Sequence, residues 1–241
     1  MTLQDLLDHR RAVRHFDPAQ PIDENVVRRC IEQAALAPTS SNLQLWEAVH
    51  VTDPEVLQGL AHACFDQQTA NTAQQMVVFV ARRDKHRDHT RRVLEQAVAE
   101  IRRSSPADRQ EGRIRRQTIY YTKLVPFLYT RCFGLLGLLR KGLSLLIGCF
   151  RPIMQETTEG SMRVSVHKSC ALVVQTFLLA MAEAGYDTCP LEGYDSHRVA
   201  RLLGLPRGAE VNMIITCGKR LPSGVWGARQ RLPFEECYRK V

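Results

Sequence analysis

The stretch SCALVVQTFLLAMAEAG, residues 169–185, limits what this chain can become more than any other. A helix over residues 169–184 is apolar on nearly every side, so it has no face to give to water. Other parts of the structure must enclose it, and Gly185 supplies its C-terminal stop. Enclosure on all sides needs a sizeable core. With 241 residues and 44% hydrophobic content, the chain can build one without disulfides or a structural metal. The length suits one domain, or one domain carrying a substantial insertion.

The neighbouring segments show what could do the enclosing. DENVVRRCIEQAALAPT reads as a helix capped by Asp23, with Val26, Val27, Cys30, Ile31, Ala34 and Ala35 on one stripe and Pro38 as its end. EAVHVT and MVVFVA read as strands, with PEVLQGLAHAC a helix between them. DSHRVARLLGLP is a short helix and EVNMIITCG a buried strand. Helices and strands mix without a regular βαβ repeat, so the expected class is α+β, a central sheet flanked by helices.

The middle of the chain differs. Residues 82–116 hold twelve Arg or Lys against six Asp or Glu, and so supply most of the net charge of +8. Charge of that sign favours anionic partners: phosphates, nucleic acid or acidic lipid. Then comes LVPFLYTRCFGLLGLLRKGLSLLIGCF, residues 124–150. Its uncharged runs fall far short of the roughly 20 residues that a spanning helix needs. Two fates are expected for it: extra packing helices, or a lid whose outer apolar face touches a membrane surface. The start MTLQDLLDHRR has no apolar signal region, so the expected location is the cytoplasm, with the inner membrane surface as the variant that residues 124–150 suggest. The eight cysteines form no Cys-x-x-Cys pair and read as reduced, mostly buried thiols.

Several kinds of chemistry lose weight. No Gly-x-Gly-x-x-Gly, Walker loop or His-Glu-x-x-His occurs, and the eight histidines show no metal-ligand spacing, so no metal is expected. Ser40, Ser41 and His50 lack the nucleophile-elbow pattern of a hydrolase. The basic stretch permits a nucleic-acid-binding protein, but without aromatic interleaving it does not favour one, and no nucleic-acid partner is expected.

Four short stretches remain: RRAVRHF (10–16), APTSSNLQLW (37–46), CPLEGYD (189–195) and ARQRLP (228–233). Each alone is bland, the first a solvated charge run and the last a basic tail. Together and in this order they resemble the FMN-dependent nitroreductase family. The resemblance covers roughly residues 1–82 and 165–235, which makes residues 1–241 a single domain with an insertion at about 84–165. It implies a nitroreductase-like fold, an intertwined homodimer centred on the helix at 169–184, and an oxidoreductase that holds FMN.

The resemblance also assigns roles. Phosphate needs forked, permanently charged donors, and Arg10, Arg229 and Arg231 would clamp it. Arg14 would stand near flavin N1, where reduction puts negative charge; Arg11 fits neither role and reads as solvated. Thr39, Ser40, Asn42 and Gln44 would meet the ribityl chain and ring edges, contributed from the second protomer. Pro190, Leu191, Glu192 and Gly193 would line the ring, with the backbone of Glu192 and Gly193 at N5 and O4; Gly193 permits a close approach. NAD(P)H would pass hydride to the flavin, which then passes it to a flat small-molecule acceptor, a nitroaromatic or a quinone. The same fold could instead serve reductive dehalogenation, using Glu111, Tyr120, Tyr121 and Lys123, or oxygen-dependent chemistry. Ala12 stands where relatives have Ser, Leu45 where many have Pro, and Gln67, Gln68 or Asn71 would replace a usual second cation near the ring.

Overall fold

A computed structural model describes residues 2–241. The chain opens with α1 (Leu3–His9), where Thr2 and Asp5 form a capping box, and α2 (Glu24–Ala34), capped by Asp23. Next come β1 (Trp46–Val51), α3 (Pro54–Ala63), the single turn α4 (Gln68–Asn71) and β2 (Gln75–Ala81). In α3 the Asp53 carboxylate accepts from the Glu55 and Val56 amides, and Pro54 fills the first position, where a missing N–H costs nothing. The middle is helical: α5 (His86–Ser104), α6 (Ala107–Ile119), a π-helical turn at Tyr120–Leu124, α7 (Val125–Tyr129) and α8 (Leu135–Gly148). The long α9 (Glu159–Glu183) leads to β3 (Asp187–Leu191), α10 (Ser196–Leu202), β4 (Glu210–Gly218) and a final turn, α11 (Phe234–Cys237).

The four strands form one antiparallel sheet in the order β1-β2-β4-β3. Alternation along β2 and β4 sorts the core into two layers. Val77, Phe79, Ile215 and Cys217 face α2 and α9, while Met76, Val78, Val80 and Ile214 face the side of α3 and α10. Phe79 meets Phe177 of α9 with ring centroids 5.4 Å apart. Truncating Phe177, which is fully buried, is expected to cost about 3–5 kcal/mol. By length and composition α9 could pass for a membrane span. Its burial of Cys170, Val173, Val174, Phe177 and Met181 makes it the core helix instead.

The expected α+β class, a central sheet flanked by helices, is what the structure has. Three details differ. The core helix begins at Glu159 rather than 169, because its amphipathic first half, EGSMRVSVHK, carries no continuous apolar signal. It is also not enclosed all round: Val164, Lys168, Leu172 and Gln175 form an exposed stripe. And α2 stops at Ala34, loosening into single turns before Pro38, whose ring disfavours helix in the residue ahead of it.

A third apolar cluster ties the middle helices to the rest. Val93, Tyr121, Val125 and Tyr129 pack on Leu43, Leu45 and Ala81, and on Met162 and Val166 of α9. Of the cysteines, Cys30, Cys64, Cys170, Cys189 and Cys217 are buried and Cys132, Cys149 and Cys237 exposed, all free. Burial pushes the Cys30 and Cys64 thiols up to about 11 and Cys170 up to about 12, which leaves them inert at neutral pH.

Candidate functional site

The RRAVRHF segment runs extended beside β3. Val13 N–H donates to Thr188 O at 3.1 Å, and Ala12 bridges Thr188 in parallel. Val13 and Phe16 are both fully buried in the core, while Arg14 between them turns out to the cavity described next. The segment beyond β4 crosses over it: Arg14 N–H donates to Gly224 O and Asp17 N–H to Lys219 O, each at 2.7 Å. That crossing needs glycine. A Cβ on Gly224 would stand 2.5 Å from His15 O, and one on Gly218 2.7 Å from the Phe16 ring. Two segments about two hundred residues apart in sequence are thereby laid edge to edge.

Between them lies a cavity of about 280 Å³ lined by Arg10, Arg11, Arg14, Arg229, Arg231 and Trp226, with no carboxylate among its lining residues. Burial, and then the like charges of Arg229, Arg231 and Arg11, holds the Arg10 guanidinium below its ordinary pKa. Arg14 sits 5.7 Å from the centroid of the Trp226 ring, a cation–π contact. Arg229 is held by main-chain carbonyls, donating to Leu7 O and, at 2.9 Å, to Arg10 O. Among the described residues Arg231 donates only to the neighbouring Gln230 O, at 2.7 Å. Arg11 is not simply solvated: it lines the cavity and donates to Gly227 O at 2.9 Å, because the far end of the chain folds back onto it. So many forked cations without a counter-charge make a site for an anion.

At the end of β3, Leu191 is buried at 3% exposure, so its side chain belongs to the core, and none of residues 190–193 lines the arginine cavity. Pro190 is half-buried and Glu192 and Gly193 are exposed, before Asp195 caps α10. Gln67 Nε2 donates to Gly193 O at 3.0 Å and to Cys64 O at 3.0 Å. Asn71 instead turns back to Asp66 O. Of the candidates for the missing cation, Gln67 is therefore the one fixed beside Gly193. Glu192 lines a second cavity, about 350 Å³, with Arg163, His167, Lys168 and Asn212. Beside it the Glu210 carboxylate accepts from Arg163 and, at 3.3 Å, from His167. Burial works against its charge, yet these two partners hold its carboxyl below the usual range.

The PTSSN loop stands apart from the arginines. Ser41, Asn42 and Gln44 all have positive φ, in a tight turn held by main-chain bonds, Asn42 N–H to Thr39 O at 2.9 Å and Leu43 N–H to Ser40 O at 3.1 Å, and by side chains. Thr39 Oγ1 accepts from Gln44 N–H at 3.1 Å, Ser40 N–H donates to Ser169 Oγ at 3.0 Å, and the Gln44 amide reaches Asn42. Ser41 Oγ meets Tyr120 Oη at 2.7 Å, and Tyr121 Oη donates to Ser41 O at 3.0 Å. Ser40, Tyr120, Tyr129 and Lys168 line a third cavity of about 390 Å³. None of Thr39, Ser40, Asn42 and Gln44 lines the arginine cavity, so one chain alone does not bring the two groups together. His50 is engaged by Gln75 at 2.7 Å, which removes it from Ser40 and Ser41. Of the dehalogenase quartet only Tyr120 faces this cavity; Tyr121 is buried, while Glu111 and Lys123 are exposed.

The family model that describes the nitroreductase family matches residues 7–219. The chain belongs to the nitroreductase family. Members of this family are oxidoreductases. Similar proteins include a putative NAD(P)H nitroreductase of Bacillus subtilis, 25% identical over 96% of this chain and 93% of its own length. An enone reductase of CLA biosynthesis from Lactiplantibacillus plantarum is 25% identical over 90% of this chain and 85% of its own. A putative nitroreductase of Exiguobacterium sibiricum, solved in complex with FMN, superposes with a TM-score of 0.68 at 20% identity, over 100% of this chain and 98% of that one.

Sequence reasoning missed Trp226 and the role of Arg11. The signal for Trp226 was its place two residues before ARQRLP, the tail that faces RRAVRHF.

Proposed function

We propose that the chain binds FMN with the phosphate in the arginine cavity and, with NAD(P)H as reductant, reduces a flat electrophilic acceptor, a nitroaromatic or a quinone. The observation that carries this reading is the cluster of five arginines around one cavity without a carboxylate. A phosphate suits that donor set better than a carboxylate ligand would, because it accepts from several forks at once. The FMN complex of the Exiguobacterium relative and the NAD(P)H in the name of the Bacillus relative support the choice of cofactor and reductant.

FMN, when bound, supplies hydride acceptance and donation. The chain's own work is to hold and orient it. Arg10 and Arg231 offer free guanidinium edges to the phosphate, while Arg229 fixes the backbone that carries Arg10. Gly193 supports a ligand role because nothing in the chain demands it: a Cβ there would meet only Gln67 Nε2, at 3.7 Å. Its carbonyl accepts from Gln67, which fixes this stretch of backbone in place. A homodimer fits the same reading. The exposed stripe on α9, with Val164 and Leu172 beside Lys168 and Gln175, is a mixed surface that a second copy could cover, and a partner could present its PTSSN loop to this chain's arginines.

The test is direct. The purified protein should be yellow, and should oxidise NADH or NADPH with a nitroaromatic, a quinone or, given the enone reductase relative, an α,β-unsaturated ketone. Sedimentation should give twice the chain mass. A colourless protein that takes up no FMN from micromolar solution would end the proposal.

A further inference from the structure

Helix α8 packs the reverse of a water-exposed amphipathic helix. Its buried positions are Gly137, Arg140 and Ser144. Its exposed positions are Leu135, Leu138, Leu139, Leu143, Leu145 and Leu146, most of them more than half exposed. The inward face is a built polar seat. Arg140, 2% exposed, donates to Leu136 O and Thr130 O at 2.9 Å each, and to Leu128 O. Lys141 donates to Gln155 O at 3.0 Å. The Glu159 carboxylate accepts from Cys132 N–H at 2.8 Å and Gly134 N–H at 3.1 Å, just ahead of the helix. Gly137 lets the helix settle closely, since a Cβ there would lie 2.9 Å from Glu159 N. With its orientation fixed from the polar side, the leucines are held outward. Phe133 and Phe150, at 103% and 89% exposure, extend the patch at either end.

An apolar face of this size is out of place in water, and the surrounding charge says what covers it. From residue 112 to 155 the chain has no Asp or Glu, and eight Arg or Lys. A second copy meeting this face through a two-fold axis would set the basic rim against itself. A negatively charged surface with an apolar interior matches both features.

We propose that α8 docks flat on an anionic phospholipid bilayer, its leucines entering the acyl boundary and the basic residues around it meeting the headgroups. The 14 residues of α8 make a helix of about 21 Å, enough to lie in the interface but too short to cross it. The proposal does not depend on the flavin reading.

The experiment is co-sedimentation of the intact protein with vesicles of phosphatidylglycerol and phosphatidylcholine, against vesicles of phosphatidylcholine alone. Binding should require the anionic lipid and weaken with added salt. Replacing Leu138, Leu139, Leu145 and Leu146 with Ser should lower partitioning at least about a hundredfold. Replacing the exposed Arg131 and Arg151 with Gln should lower it about tenfold. As a gentler probe, Leu138→Trp should be quenched by brominated acyl chains. No binding to anionic vesicles at low salt, or an unquenched Trp at 138, would overturn the proposal. A fall in oligomeric mass in the Ser variant would overturn it too, by giving the face to a second copy.

Discussion

Two parts of this molecule take arginines out of water, and they use them in opposite ways. Under α8, Arg140 is surrounded by carbonyl oxygens of residues 128, 130 and 136. In the cavity between the chain ends, Arg10 is surrounded by Arg11, Arg229 and Arg231. Burial lowers the guanidinium pKa at both places. At Arg140 the nearby Glu159 pulls it back up, whereas at Arg10 three like charges push it further down. One arginine is satisfied within the fold and holds a helix in place. The other belongs to a cluster that repels itself until an anion arrives, so its stabilising interaction is deferred to binding.

The largest expected effect separates the two. Arg10→Ala together with Arg231→Ala should weaken FMN binding about a hundredfold to ten-thousandfold, from about 1.5–3 kcal/mol per charge-assisted contact. The flavin-free variant should melt no lower than the wild type, because like-charge repulsion is relieved. Flavin titration and a melting curve without flavin check both halves; full occupancy in the double variant would remove the phosphate assignment. The next effect has the opposite signature. Arg140→Ala strands buried carbonyls and should cost about 3 kcal/mol, read as faster amide exchange in α8, with flavin affinity nearly unchanged. If Arg140→Ala loses flavin and keeps α8 protected, the contrast collapses.

The same contrast explains what could be read in the sequence. RRAVRHF and the tail at 228–233 were legible as partners only through the family resemblance, since alternation along an extended segment would set Arg14 and Phe16 on one side and does not by itself sort charge from apolar residues. The choice among Gln67, Gln68 and Asn71 was not legible, since it depends on a contact to Gly193 more than a hundred residues away. In LLGLLRKGLSLLIG the periodicity tells which residues share a face. It cannot tell which face turns inward, and the usual rule would have buried the leucines. The deciding partners, the carbonyls of 128 and 130 and the Glu159 carboxylate, lie outside the helix. The first half of α9 was missed for a related reason: its apolar residues face the middle cluster on one side only, and a one-sided stripe is weak beside the run that follows it.

Gly193→Ala offers a smaller and cleaner comparison between what the fold needs and what a ligand needs. A Cβ at 193 makes an ordinary contact with Gln67, so the stability of the flavin-free protein should move by less than about 0.5 kcal/mol. If the ring lies against this backbone, flavin affinity should still fall about tenfold, the effect of a methyl group forced between close surfaces. An equal loss with and without flavin would make Gly193 a structural residue.

The smallest effect comes from acid, and it probes the α8 seat alone. The Cys132 amide first, and then the Gly134 amide with Arg83 and Arg140, holds the Glu159 carboxyl below its ordinary range against the cost of burial. A carboxyl lowered in the folded state stabilises fully above its unfolded pKa, and that contribution is lost as pH falls through the folded value. Between neutral pH and the ordinary carboxylate range nothing should change. Below that range the turn at 132–134 should loosen first, and the start of α8 with it, by less than about 1 kcal/mol because the carboxylate is only half-buried. The arginine cavity contains no carboxylate and should not respond over the same interval. Amide exchange at residues 132–138, corrected for intrinsic rates, reads the change. Glu159→Gln should show the loosened turn already at neutral pH and no further acid response. Protection that stays flat in the wild type while the Gln variant also stays protected would mean that Arg140 alone holds the seat.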